Sequence, residues 1–128
     1  MSLNTDLVWF FNTSAYAAAT LGGRVYPMGN LPQTAVYPAM TYLRVSNPPE
    51  YSHSGRATLI HPRYQLDLWA ETSAAVEALN AAVLAALAHW GQAFGQSAII
   101  EEAGADGYEP ETKLYRSRID VILWYVEV

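Results

Sequence analysis

The segment from Tyr64 to Thr72 constrains the fold most, because its pattern predicts a half-buried strand that runs directly into the start of a helix. Every second residue of the strand is apolar, as one buried face requires: Tyr64, Leu66, Leu68 and Ala70. The residues between them are polar except Trp69, a large ring on the side that should face water. We therefore expect that this second face is also covered, by another element of the chain or by another subunit.

Two helices are predicted from end signals and apolar spacing. The first covers residues 4–21 and ends before Gly22; it has little polar surface, so we expect it to be sandwiched. The second begins at Thr72 or Ser73 and ends at Gly91. Its apolar positions recur at steps of three and four residues and indicate one buried stripe: Val76, Leu79, Val83, Ala86, Leu87 and Trp90.

Four strands are predicted from alternation and from the turn residues that bound them, over residues 39–46, 59–70, 97–102 and 114–126. Residues 24–38 are expected to be a loop with short extended pieces, and residues 103–112 a turn-rich tract. The order is helix, strand, strand, helix, strand, strand. We predict a single α+β domain over residues 1–128, with a mostly antiparallel four-stranded sheet and helices packed on it.

Composition favours self-association and excludes several classes of protein. Only 15% of residues are charged, against about 25% in an average globular protein, so few groups keep the surface solvated. A net charge of −5 argues against a protein that grips nucleic-acid phosphates. The chain has no cysteine, which excludes disulfides and thiolate ligands. We expect no membrane segment, because no apolar run approaches the ~20 residues that one needs, and no signal peptide.

No catalytic, cofactor or metal site is predicted. The histidines His53, His61 and His89 are scattered and lack the spacing of a zinc site. The acidic cluster within residues 101–111 lacks the spacing of a calcium loop, so a solvated turn explains it better.

Two sets of residues are instead candidates for protein contacts. The last strand is apolar on both sides near its end, and together with Trp69 this gives candidate subunit contacts: Trp69, Ile122, Trp124 and Val126. The alternative is that these side chains pack under the protein's own first helix.

The second set lies in residues 47–57, which are long for a hairpin loop and rich in Pro, Ser and Gly. We expect this segment to be an arm that orders on a partner. Its candidate contact residues are Pro48, Pro49, Tyr51, His53 and Arg56.

Six short motifs occur in a particular order along nearly the whole chain: Gly22–Pro27, Leu31–Gln33, Tyr37–Tyr42, Tyr64–Ala70, Tyr108–Thr112 and Leu114–Arg116. In this order and spacing they resemble the tail-completion, or tail terminator, proteins of long-tailed bacteriophages and prophages. The resemblance implies a non-enzymatic protein, made in the host cytoplasm, that joins the virion at the head–tail junction. It further implies a homo-oligomeric ring, typically a hexamer, that binds the tail tube protein and the head–tail connector protein. DNA would pass through the ring without specific binding, and acidic residues directed inward would prevent adhesion.

Two other functions stay open at this stage. One is a head-closure or neck protein of the same particle. The other, from a different class, is a small ligand-binding or enzymatic α+β domain, since a fold alone does not fix function.

Overall fold

The computed structural model describes residues 3–29, 36–46, 51–52, 55–56 and 59–126, with only the backbone described for residues 51–52, 55–56 and 104–106. The helices are α1 Leu3–Thr13, α2 Ala18–Leu21, α3 Ser73–Leu87 and α4 Trp90–Phe94. The strands are β1 Val25–Pro27, β2 Ala39–Ser46, β3 Tyr51–Ser52, β4 Gly55–Arg56, β5 Leu59–Ile60, β6 Arg63–Ala70, β7 Ala98–Glu109, β8 Leu114–Leu123 and β9 Tyr125–Val126.

Five strands form the main sheet, in the order β1-β2-β6-β8-β7. All neighbours are antiparallel except β1, which pairs parallel with β2. Two small two-stranded sheets, β3-β4 and β5-β9, complete the topology. The predicted α+β class is therefore confirmed. The sheet has a fifth strand beyond the four predicted, and the order of elements along the chain differs from the simple order predicted.

The junction from β6 to α3 forms as the sequence predicts. Thr72 is the N-cap of α3, and its Oγ1 accepts a hydrogen bond from the amide of Ala75 at 3.1 Å. The predicted end at Gly91 is wrong, because α3 ends at Leu87 and the amide of His89 bonds to the carbonyl of Ala86 at 2.9 Å instead of continuing the α-helical ladder. Trp90 of the expected stripe therefore belongs to α4, but all residues of the stripe are buried, and α3 packs on β6 and β8. The apolar face of β6 is likewise fully buried: Tyr64, Leu66, Leu68 and Ala70.

The first predicted helix is wrong in extent, because it is broken after Thr13. The hydroxyl of Thr13 donates to the carbonyl of Trp9 at 2.8 Å, and the amide of Tyr16 donates to the hydroxyl of Ser14 at 3.2 Å. Such side-chain bonds compete with the helical backbone ladder and favour a turn. A second short helix, α2, then ends at Gly22, which adopts the left-handed conformation at φ 54°.

The third predicted strand is too short. It was expected to end at Glu102, but β7 continues to Glu109, through the tract expected to be turns. The reason is non-local, because β8 provides ladder partners as far as Leu114. Two register shifts, between Ile100 and Glu102 and between Ala103 and Ala105, keep the two strands paired. Only the tight connection that ends at Lys113, with φ 58°, remains a turn.

Both helical layers lie on one face of the sheet, here called the inner face. The ring of Phe10 in α1 meets that of Trp90 at a centroid distance of 4.9 Å, and the indole of Trp90 donates to the carbonyl of Trp124 at 3.0 Å. The hydroxyl of Tyr125 donates to the buried carboxylate of Asp6, which ties the last described strand to α1. One hydrophobic core therefore joins the helices to the inner face.

A polar network fixes the start of α1 over the sheet. The hydroxyl of Tyr64 donates to Oδ1 of Asn4 and accepts from Nε and Nη2 of Arg44, at 3.0 and 2.9 Å. Burial raises the pKa of Tyr64, and Arg44 opposes that rise.

Candidate functional site

The opposite face of the sheet, here called the outer face, alternates with the buried inner positions. The strand register assigns to it Ala39, Thr41, Leu43, Arg63, Gln65, Asp67, Trp69, Arg116, Arg118, Asp120, Ile122 and Ile99. Its composition is mixed rather than apolar: polar residues occupy the centre, and the aliphatic residues lie towards the two edges.

Trp69 lies on the outer face and is partly covered by its own chain. Its indole N–H donates to Oγ1 of Thr41 at 3.1 Å, and the guanidinium of Arg116 lies 5.8 Å from the ring centroid. The ring is half-buried rather than sealed beneath α1, because α1 packs on the inner face.

The centre of the outer face contains a buried carboxylate. Asp67 is 1% exposed, and its Oδ2 accepts a hydrogen bond from the side-chain Nε2 of Gln65 at 3.0 Å. Arg118 stands directly opposite Asp67 in the strand register. Within the described part of the chain, Oδ1 of Asp67 and the Nε atoms of Arg116 and Arg118 are buried without a hydrogen-bond partner. The second face of the sheet therefore has a polar centre with apolar margins.

The other three residues of the first candidate set lie at the far end of the sheet. Ile122 is half-buried between Arg63 and Ile99 in the register. Trp69 pairs with Arg116, six positions from Ile122 along β8, which corresponds to roughly 20 Å. The structure therefore does not bring Trp69 and Ile122 together.

Trp124 lies at the break between β8 and β9, where it is half-buried. Its ring stacks on that of His61 at 4.6 Å, with an interplanar angle of 25°. Val126 is exposed and pairs with Leu59 in the small β5-β9 sheet. These residues form a separate patch at the end of the C-terminal strands.

The expected arm is a β-hairpin at its described positions. Tyr51 pairs with Arg56, and Ser52 pairs with Gly55. This two-stranded sheet is separate from the five-stranded one. Pro48, Pro49 and His53 lie outside the described residues.

The sequence pattern did not predict the two sheet edges, which are the most exposed apolar features of the sheet. At one edge, β7 exposes Ile99 by 50% and Ile100 by 39%. At the other edge, β1 pairs only with Met40–Tyr42, so the end of β2 beyond that range has no described neighbour on that side. Leu43 and Val45 in this part of β2 are 41% and 43% exposed. The sequence did contain a signal for an exposed strand at residues 99–102. Its adjacent Ile-Ile and Glu-Glu pairs fit neither a buried strand nor a polar loop.

An open aromatic groove of about 290 Å³ lies on the helical side, lined by residues of α1, α4 and the turn after α1. Tyr16 stacks on His89 at 4.4 Å, and its hydroxyl lies 3.1 Å from Nε2 of that ring. Nδ1 of His89 lies 2.9 Å from the carbonyl of Ala85, which can only accept, so Nδ1 is the donor in that bond. Both ring nitrogens are therefore used in structural bonds.

The described residues show neither a metal cluster nor a membrane helix. Within them, no group of three or more His, Cys, Asp or Glu side chains is placed to hold a metal ion. No described helix has both the length and the apolar character needed to cross a membrane.

The described helices of this α+β domain lie on one sheet face, and its strand edges can pair with strands of another chain. The sequence profile of the family described as tail completion protein gp17 matches residues 7–126, from α1 to β9. The chain therefore belongs to the tail completion protein gp17 family, and it is a structural protein of a bacteriophage tail. A comparison with curated proteins gave no match.

Proposed function

We propose that this protein assembles as a ring, with six copies as the expected number, at the head-proximal end of the tail tube. There it stops tube growth and offers a docking surface to the head–tail connector. The protein acts through binding alone, without a cofactor or a catalytic step. The observation that carries the proposal is that a member of this family packs its described helices on one sheet face and, among the described residues, leaves the β7 edge and the end of β2 without a neighbouring strand.

The ring explains what would cover the open surfaces. In a head-to-tail ring each copy uses two different patches, one for each neighbour. The structure offers such unlike patches, since the edge formed by β7 differs in length and charge from the edge formed by β2. The Trp124 patch, with Val126 exposed beside it, is a further candidate contact.

The hairpin arm is our candidate for contact with the tube or the connector. A two-stranded hairpin is marginally stable alone, so an arm of this kind gains order when it binds a partner. Deletion of residues 47–57 should spare the fold and abolish capping. The measurement is the length distribution of tails assembled in its presence, and tails of wild-type length would count against the arm.

Passage of DNA through the ring fits the charge of the chain. Each copy carries a net charge of −5, so a ring repels the phosphates of the duplex. Binding of a DNA fragment at moderate salt would contradict this part of the proposal, and absence of binding is the expected result.

Native mass spectrometry tests the ring itself, with Trp124→Glu as the informative variant. The substitution keeps the main-chain carbonyl that accepts the hydrogen bond of Trp90, so helix content should persist. The native mass should fall from a multiple of 14.1 kDa to the mass of a single copy. Trp9→Glu is the matched control, because Trp9 is exposed on α1, on the helical side of the sheet. If Trp124→Glu kept the full mass of the ring, Trp124 would not be part of the subunit interface. Imaging the protein within virions distinguishes a terminator from a neck protein.

A further inference from the structure

The edge of β7 that faces away from β8, here called its outer edge, is long and has no described strand beyond it. β7 runs for 12 residues as the last strand of the five-stranded sheet. Residues 99–103 are all exposed, although the run begins with two isoleucines. In an edge strand, alternate N–H and C=O groups point away from the sheet and can pair with another strand. This edge therefore presents both backbone groups and apolar side chains to a partner.

The charges of β7 select against pairing with its own copy. Glu101 and Glu102 follow the isoleucines and are exposed. If two β7 edges met in a register centred on this run, these acids would lie close together, and like charges on paired strands are destabilising. Arg63, 3.8 Å from Glu101 in the same copy, offsets only one of the two charges. The β7 edge therefore favours an unlike strand.

The end of β2 is such an unlike strand. Beyond Tyr42, its edge away from β6 has no described neighbour, because β1 is only three residues long. This part of β2 exposes Leu43 and Val45 and contains no acidic residue, while the guanidinium of Arg44 is held by Tyr64 on the inner face. This segment combines an open strand edge with exposed aliphatic side chains and no acid.

One apolar side chain from each edge, Leu43 of β2 and Ile99 of β7, lies on the outer face of the sheet. Leu43 is opposite Gln65, which pairs with Asp120 of β8. Ile99 pairs with Ile122, two residues further along β8, so it occupies the same face as Leu43. If β7 of one copy lay beside β2 of the next, Leu43 would come next to Ile99 and bury apolar surface that a single copy leaves exposed. Because the two edges differ, the contact runs head to tail and can close into a ring.

We propose that the outer edge of β7 pairs with the Leu43–Ser46 part of β2 in a second copy of this chain, so that the sheet continues from one subunit to the next. The inference rests on the proposed ring and specifies its joint. Backbone hydrogen bonds hold the two strands together, and the exposed leucine and isoleucine side chains fix their alignment.

Cysteine cross-linking tests this joint cleanly, because the chain contains no cysteine of its own. The double variant Leu43→Cys with Ile99→Cys, treated with a short flexible bismaleimide, should give a covalent ladder that ends at the ring. On a denaturing gel, each single variant should stay at the mass of one copy, because neither has a second cysteine at the joint. A dimer from Ile99→Cys alone would show that two β7 edges meet, and would overturn the inference.

A substitution that blocks the edge gives an independent readout. Ile100→Lys places a charge at the edge of β7. At a fixed protein concentration, we expect the amount of protein found in rings to fall at least tenfold. Trp9→Lys is the matched control and should keep the wild-type mass, with both variants checked for helix content.

The outcomes separate the joint from the ring. The wild-type protein could form a ring while the double cysteine variant gives no ladder and Ile100→Lys keeps the full mass. That result would overturn the joint and leave the proposed function standing. Wild-type protein that stays monomeric at high concentration and is absent from isolated tails would overturn both.

Discussion

Replacing Trp90 by phenylalanine tests whether the indole of this residue holds the C-terminal strands against the helices. Trp90 is fully buried, and its N–H reaches the carbonyl of Trp124 at 3.0 Å. Its ring also packs against Phe10 and Phe94, at 4.9 and 4.3 Å between centroids. Phenylalanine keeps an aromatic ring at the site but removes the hydrogen bond and part of the volume.

The expected loss of stability follows from these two changes. A hydrogen bond of this kind contributes about 1 kcal/mol, and the bond here is only partly buried, so water can replace part of it. The smaller ring leaves a gap in the core that costs about another 1 kcal/mol. We therefore expect the free energy of unfolding to fall by about 2 kcal/mol, out of about 5–15 kcal/mol for a typical domain. For a chain of this size the midpoint of thermal unfolding should fall by about 6–10 °C.

Urea unfolding at one fixed protein concentration is the suitable assay, because association with other copies would raise the apparent stability. Trp9→Phe is the matched control: Trp9 is exposed, and the change there should stay within about 0.5 kcal/mol. If Trp90→Phe were as stable as this control, the indole could not be the anchor described above.

Three further predictions concern single sites. Burial raises the pKa of Tyr64, so the stability that its neutral form contributes is present below the ordinary pKa of about 10 and is lost as the pH rises above it. Tyr64→Phe should therefore reduce the loss of stability at alkaline pH, measured by urea unfolding at a series of pH values. An unchanged dependence of stability on pH would contradict this prediction. Thr72→Ala removes the bond to the amide of Ala75 and should cost about 1 kcal/mol in the same assay, whereas Thr72→Ser should recover most of the loss. Lys113→Gly relieves a left-handed backbone and should raise the thermal midpoint by a few degrees in calorimetry, and a lower midpoint would exclude strain at this residue.

The parts of the fold that the sequence predicted are those whose signals are local. The strand Arg63–Ala70 alternates within itself, and the N-cap Thr72 lies next to the helix that it starts. The break after Thr13 was missed because hydroxyl groups can either join a helix or compete with it, and spacing alone does not distinguish the two outcomes. The extension of β7 and the addition of β1 depend on partner strands distant in sequence, which no local pattern contains.

The candidate site was predictable to a similar extent. Alternation correctly assigned Trp69 to the side opposite the buried face of β6. Its contacts with Thr41 and Arg116, and its separation from Ile122, follow from strand register, which requires the whole sheet. The open edges could not be predicted either, because a strand becomes an edge only through the order of all five strands.

The bond between Tyr125 and Asp6 has a consequence for biosynthesis. The two residues are separated by 119 positions, yet they meet in the core. At ribosomal rates of about 5–20 residues per second, α1 waits roughly 6–24 s for the strand that completes its packing. During that interval its buried face, including Leu7 and Phe11, has no finished site to occupy. We expect the nascent chain to need protection from aggregation, and a subunit to become competent for assembly only after its final strand leaves the ribosome.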